Sequence, residues 1–257
     1  MTIEVCAYSL ESCINAQAGG AGRIELCGGL GEGGTTPSAG LIEVVKQHIN
    51  IPVYVMIRPR GGDFVYDVFE EEIMKKDIAL AKKLGADGVV LGILHADGQV
   101  NIERTQEMVE FAHPMKVTFH RAFDRTPDPL KALEDIIDIG CERILTSGQR
   151  PNVTEGADLI RELVRRAGER IIIMPGSGVR ADNILQLAAQ TGAREFHSSA
   201  RREAASRMAF QNEAMKEKLP TILADGEELK KMLELLQTQA EPPAQDMHGT
   251  ADNETLK

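Results

Sequence analysis

Tryptophan is absent from this 257-residue chain and aromatic residues supply only 4% of it, so aliphatic side chains must fill any core. No apolar run approaches the length of about 18 residues that a membrane span needs. The opening segment MTIEVCAYSL has neither the basic nor the apolar region of a secretory signal. A cytoplasmic protein without membrane contact is therefore expected. Positive charge is in deficit too, since 29 Lys and Arg stand against 39 Asp and Glu, a net charge of -10. Sequence-independent binding of nucleic acid needs Lys and Arg along one face, so nucleic acid is not an expected partner. Four cysteines, Cys6, Cys13, Cys27 and Cys141, do not make a disulfide framework in a chain this long. In a reducing compartment they are thiols that serve as core residues or metal ligands.

The hydrophobic 42% of the chain falls into short runs rich in Val, Ile and Leu, each closed by Gly, Pro or polar residues. Strands are expected at 3–8, 23–27, 52–58, 87–93, 116–121, 142–147, 170–174 and 194–198. Amphipathic helical stretches separate them at 9–19, 38–49, 69–84, 101–112, 127–139, 154–167 and 180–191, several opened by Ser, Pro or Asp and closed by Gly. Strict alternation of strand and helix implies a parallel sheet. Eight such units point to an α/β fold of the single (β/α)8 barrel type rather than an open doubly wound sheet. Residues 1–237 would form the barrel, with an irregular insert at 199–226 and a closing helix at 227–237. Residues 238–257 are poor in apolar side chains and rich in Pro, Gly, Asn and Asp, and are expected to be a disordered tail.

Alternation within the strands assigns their faces. Ile3, Val5 and Ala7, with Ile24 and Leu26, form apolar sets that should pack on the helices. Glu4, Cys6, Tyr8, Glu25, Cys27, Tyr54, Met56, Arg58, Thr118, His120, Glu195 and His197 then point into the barrel. The fourth, sixth and seventh strands are too uniformly apolar to assign. A lumen with this many charges is either an internal ion-pair network or a functional site, because buried charges persist only when paired or hydrogen-bonded. In this fold functional groups sit at the C-terminal ends of the strands, where Arg58, His120 and His197 lie.

Cys6 and Cys27 share an inward phase on strands that should be neighbours, about 4.8 Å apart. They could clasp a soft monovalent metal such as Cu(I), or simply fill the core. Barrel stagger could also offset them by a residue or more. Cys13 and Cys141 read as structural. Gly176, Ser177 and Gly178 in MPGSGV, with Ser199 in FHSSAR, follow the seventh and eighth strands, where this fold recurrently holds anions on backbone N–H groups; Arg201 is a candidate assisting charge. The alternative for these residues is a plain tight turn. Arg58 and Arg60 in MIRPRGGDFVYD add cationic donors, and His120 with Arg121 and Asp124 has the composition for proton transfer on an anionic substrate or for binding one. No lysine closes a strand at its C-terminal end, which disfavours a Schiff-base aldolase.

The segments EVCAYSLESCINAQAGGAGRIELCGGLGEGGTTPS, VMIRPRGGDFVY, VTFHRAFD, ILTSG, MPGSGV and EFHSSAR, in this order over about residues 1–200, resemble the CutC copper-homeostasis family. The resemblance implies a cytoplasmic TIM barrel, homo-oligomeric and connected with copper tolerance. It also implies that Cys6 and Cys27, set in EVC and RIELC, are the proposed Cu(I) ligands; nearby Met56 is a candidate soft third ligand on the residue reading. PGSG here stands where the family more often has PGGG. The competing expectation is an enzyme acting on a small phosphorylated or carboxylated metabolite. In that reading Arg58, Arg60 and the 176–178 loop hold the anion, and His120 or His197 acts as acid or base.

Overall fold

The computed structural model describes residues 1–210, 212–216 and 219–238. Eight short strands run β1 Thr2–Ala7, β2 Arg23–Leu26, β3 Val53–Met56, β4 Gly88–Leu91, β5 Lys116–Phe119, β6 Arg143–Thr146, β7 Ile172–Pro175 and β8 Glu195–Ser198. Seven helices follow the first seven in turn: α1 Leu10–Ala18, α2 Ala39–His48, α3 Val68–Lys83, α4 Ile102–Ala112, α5 Pro129–Ile139, α6 Ala157–Ala167 and α7 Ile184–Thr191. A last helix, α8 Gly226–Thr238, completes the ring. The strands pair in parallel in the order β7-β6-β5-β4-β3-β2-β1-β8, a (β/α)8 barrel. Between β8 and β7 there is no ladder among the described residues, yet the seam is narrow: a Cβ on Gly176 would come within 3.3 Å of the His197 Cβ.

Local chemistry explains the boundaries. Ser9 and Ser38 accept from backbone N–H groups in the first turns of α1 and α2, and Asp128 with Pro129 opens α5. Asp67 and Glu70 form a reciprocal capping box on α3. Gly140 and Gly192 end α5 and α7 at φ of 90° and 71°, the left-handed region that favours glycine. Strands β2 to β6 are shorter than expected, their last residues already bending into loops that build the barrel mouth, whereas β7 and β8 are shortened only at their starts.

Side-chain alternation places one apolar face against the helices. Ile3, Val5, Ala7, Ile24 and Leu26 join the large core shared with the helices, and Val89, Leu91, Ile144 and Ile173 show that β4, β6 and β7 turn the same way. Cys27, Tyr54, Met56 and Val90, with Cys6 and Tyr8, form a separate cluster inside the barrel. The insert expected to be irregular instead contains an antiparallel ribbon, β9 Arg201–Ala204 and β10 Thr221–Ala224, with a 3-10 turn at Glu213–Met215. Apart from Thr238, which ends α8, the expected tail at 238–257 lies outside the described residues.

The lumen divides by depth. Near the strand starts Arg23 bonds Glu4 at 2.5 Å and Glu195 at 2.7 Å, while Arg143 reaches Glu142 at 2.6 Å and Glu195 at 3.2 Å. The two guanidiniums each lie 5.1 Å from the centroid of the Tyr54 ring, whose hydroxyl donates to Glu142. This paired, satisfied network plugs the N-terminal end. Sequence alternation does not single out Arg23 and Arg143, although each stands two residues before a residue that lines the lumen, Glu25 and Leu145.

Candidate functional site

Above the plug, register brings thiols, carboxylates and an imidazole together. Cys6 stands opposite Glu25, and Glu4 opposite both Arg23 and His197. Cys27 lies one inward step beyond Glu25, so stagger makes the thiols diagonal neighbours rather than a direct pair. Their sulfurs are still only 3.7 Å apart, and Cys27 Sγ is 3.5 Å from Glu25 Oε2. His197 Nδ1 sits 2.8 Å from Glu4 Oε1, with its Nε2 3.8 Å from Glu25 Oε2. Among the described residues, Cys6 with Glu25 and Cys27, and Glu4 with Glu25 and His197, each present ligand atoms within 4.8 Å of one another.

These groups polarise one another. A hydrogen bond from Cys27, opposed by burial and aided by His197, draws the Cys6 thiol well below its ordinary range. The Cys27 thiol is pushed correspondingly up by that same bond and by burial. Burial and the neighbouring Cys6 charge lift Glu25 well above the usual carboxylate range. For Glu4, burial works upward, but the His197 hydrogen bond and the Arg23 charge outweigh it and hold the group down to about 2. His197 is likewise raised despite its burial, by Glu25, Cys6 and Glu4. Cys13 and Cys141 are buried in the outer core and their thiols are pushed up to about 12, in keeping with a structural role.

Cys6 opens upward into a cavity of about 330 Å³ at the C-terminal mouth. Four guanidinium-bearing residues line it, Arg58, Arg121, Arg180 and Arg201, together with His120, Ser177, Gly178 and Ser199. Arg58 is buried, and its terminal nitrogens donate to the carbonyls of Glu32, Gly34 and Gly62 at 2.8 Å each. Its Nε has no partner among the described residues. His120 is also buried, and its Nδ1 accepts from the Ala122 N–H at 3.2 Å, which places the ring proton on Nε2. That Nε2 is likewise unpartnered among the described residues. Burial first, then the Arg58 charge, lowers His120 to about 3, so the ring is neutral.

Ser177 adopts φ of 75° and Gly178 φ of 94°, so a serine occupies a left-handed position at which glycine is at ease. Its Oγ donates to Pro151 O at 3.0 Å and steadies the loop. Gly176 lies beneath, where an added Cβ would meet Leu145 at 2.5 Å. Arg60 does not line this cavity; it pairs with Glu70 at 2.5 Å and Asp63 at 3.0 Å beside the start of α3. Met56 packs with Cys27 in the lumen. Glu25 had been read as an inward charge, not as a neighbour of both thiols. Its alternation with Cys27 in RIELC was the available signal.

The donor set suits a soft metal ion, with two sulfurs and the buried Glu25 Oε1, which has no partner among the described residues.

The sequence model of the CutC family matches residues 1–202. A copper homeostasis protein cutC homolog of Mus musculus is 52% identical over 213 residues, covering 83% of this chain and 78% of the relative. The Homo sapiens homolog is 51% identical over the same shares of each chain. The crystal structure of a CutC protein from Streptococcus agalactiae, 36% identical, superposes with a TM-score of 0.75 over 77% of this chain and 98% of that one. Thiamine phosphate pyrophosphorylase of Pyrococcus furiosus, at 12% identity and a TM-score of 0.57 over 92% and 96% of the two chains, shares the fold alone.

Proposed function

This chain belongs to the CutC family, and from that membership we propose that it binds Cu(I) through Cys6 and Cys27 in cytoplasmic copper homeostasis. The observation that carries the reading is the 3.7 Å sulfur separation inside the barrel. It is less than twice a metal–sulfur bond of about 2.3 Å, so a single ion can touch both atoms. Copper is the cargo here. Cys6 is the sulfur that gives up its proton more readily, and Cys27 gives up its own on metal binding. Glu25 stands beside both as an oxygen donor, and Met56 is the neighbouring soft side chain. The seal of buried side chains beneath keeps water from the sulfurs on that side.

Titration of reduced protein with Cu(I) against a competing chelator should give one tight site per chain that disappears in the Cys6→Ala/Cys27→Ala double variant and persists in Cys13→Ala. Unchanged stoichiometry in the double variant removes the reading. A homo-oligomer in solution goes with family membership, and sedimentation velocity tests it.

A second reading is favoured by the mouth. Four arginines around one small cavity, in a chain of net charge -10, make a local concentration of positive charge suited to an anionic metabolite. Ser177, Gly178 and Ser199 with Arg180 and Arg201 would hold the anion, while His120 and His197 are the candidate proton-transfer groups for any reaction there. Arg58 belongs to the same wall, and Arg60 supports it only from outside.

A further inference from the structure

Two donors in the mouth are left without acceptors at a depth where that is costly. Arg58 is 6% exposed and His120 4%, and in each a single nitrogen, Nε and Nε2, is buried with no partner among the described residues. An unmet buried donor is destabilising, and more so when it is charged. The remaining nitrogens are committed: Arg58 to three carbonyls, His120 Nδ1 to the Ala122 N–H. Phe64 holds both in place, its ring 4.8 Å from the imidazole centroid and 5.1 Å below the guanidinium carbon. Gly92 permits the imidazole to lie against the backbone, since a Cβ there would meet Nδ1 at 2.7 Å. The pair is therefore rigid before any ligand arrives.

Charge narrows the ligand further. Arg58 has no carboxylate within ion-pair distance among the described residues, only neutral carbonyls, so its positive charge is buried without a counter-charge. Every other buried arginine in the lumen, Arg23 and Arg143, has one. A carboxylate brings two acceptor oxygens and one negative charge, the complement of two donors and an unpaired cation held against one Phe64 ring. Across the same cavity, Ser177, Gly178, Arg180, Ser199 and Arg201 form a second donor arc after β7 and β8.

We infer that the mouth binds a small metabolite with two unlike anionic ends, a carboxylate on Arg58 Nε and His120 Nε2 and a phosphate on the 177–180 and 199–201 arc. This rests on reading the mouth as an anion site and adds which end of the ligand goes where. The cavity of about 330 Å³ lies at the small end of ligand sites, which fits a phosphorylated hydroxy acid of about three carbons. Here the arginine and the neutral imidazole are specificity-determining residues for the carboxylate, and the two loops for the phosphate.

Calorimetric titration of the full-length wild-type protein with 3-phosphoglycerate, glycerol 3-phosphate, glycerate and inorganic phosphate tests this. Expected is tightest binding of 3-phosphoglycerate, with glycerol 3-phosphate weaker by about tenfold or more for want of the carboxylate. His120→Asn keeps an acceptor for the Ala122 N–H but removes the Nε2 donor, and should weaken 3-phosphoglycerate by a similar factor while leaving glycerol 3-phosphate unchanged. Arg180→Ala with Arg201→Ala should weaken both phosphorylated compounds alike. If glycerol 3-phosphate binds as tightly as 3-phosphoglycerate to the wild type, the carboxylate assignment is overturned and the anion site stands. If none of the four binds, the anion site itself falls. The wild-type comparison needs no variant to fold.

Discussion

His120 and Glu4 show, at the scale of single residues, how burial is resisted or obeyed according to company. Glu4 has Arg23 and His197 in bonding contact and stays ionised, whereas His120 meets only Arg58 and loses its charge. A measurable consequence follows for His120. Its value falls from 6.5 to about 3 in the folded protein, so between those values the unfolded chain binds the proton more readily. The stabilisation is complete above pH 6.5 and is lost as pH falls towards 3. Urea unfolding at pH 7 and pH 5 should show the wild type losing about 2 kcal/mol more than His120→Asn on acidification. Equal losses in the two proteins would mean that the imidazole is solvated. Inward phase was legible in the sequence for Cys6, Cys27, His120 and His197. The missing partners were not, since Arg58's carbonyl clasp comes from loops whose path no periodicity encodes.

Among the elements, capping and alternation did most of the local work. The expected strands and helices occur in order, and β1 to β6 end one or two residues early, with functional side chains such as Arg58 and His120 in the turns after β3 and β5, while β7 and β8 end at or one residue beyond the expected position. The ribbon of β9 and β10 was hidden because its strands are short and Arg201 to Glu203 is polar throughout. Helix α3 illustrates how an element reaches the site: its Glu70 both completes the capping box with Asp67 and holds Arg60, which organises the loop running back to Arg58. Asp67→Ala should cost about 1 kcal/mol in thermal or urea unfolding, the usual loss of an N-cap. Cu(I) stoichiometry should not change, because the loop carries none of the sulfurs. A variant as stable as the wild type would show that the capping box contributes nothing in solution.

For the whole molecule, a ligand that binds only the folded chain must raise its stability. Cu(I) held at 100 times its Kd should add about 2.7 kcal/mol, or a rise of roughly 5–10 °C in melting temperature for a chain of this size. Differential scanning fluorimetry of reduced protein with Cu(I) should show this rise in the wild type and not in Cys6→Ala/Cys27→Ala. An equal rise in both would place the metal elsewhere. The amino-acid sequence alone determined the alternating architecture, the inward phase of the thiols and imidazoles, and the family. Those depend on side-chain periods of two and 3.6 and on motifs contiguous in the chain. Only the tertiary structure decided that Cys6 faces Glu25 while reaching Cys27 diagonally, that Arg23 and Arg143 seal the floor, and that Arg58 and His120 keep a donor each unspent. Strand stagger and loop closure set those relations, and both arise from the ring as a whole.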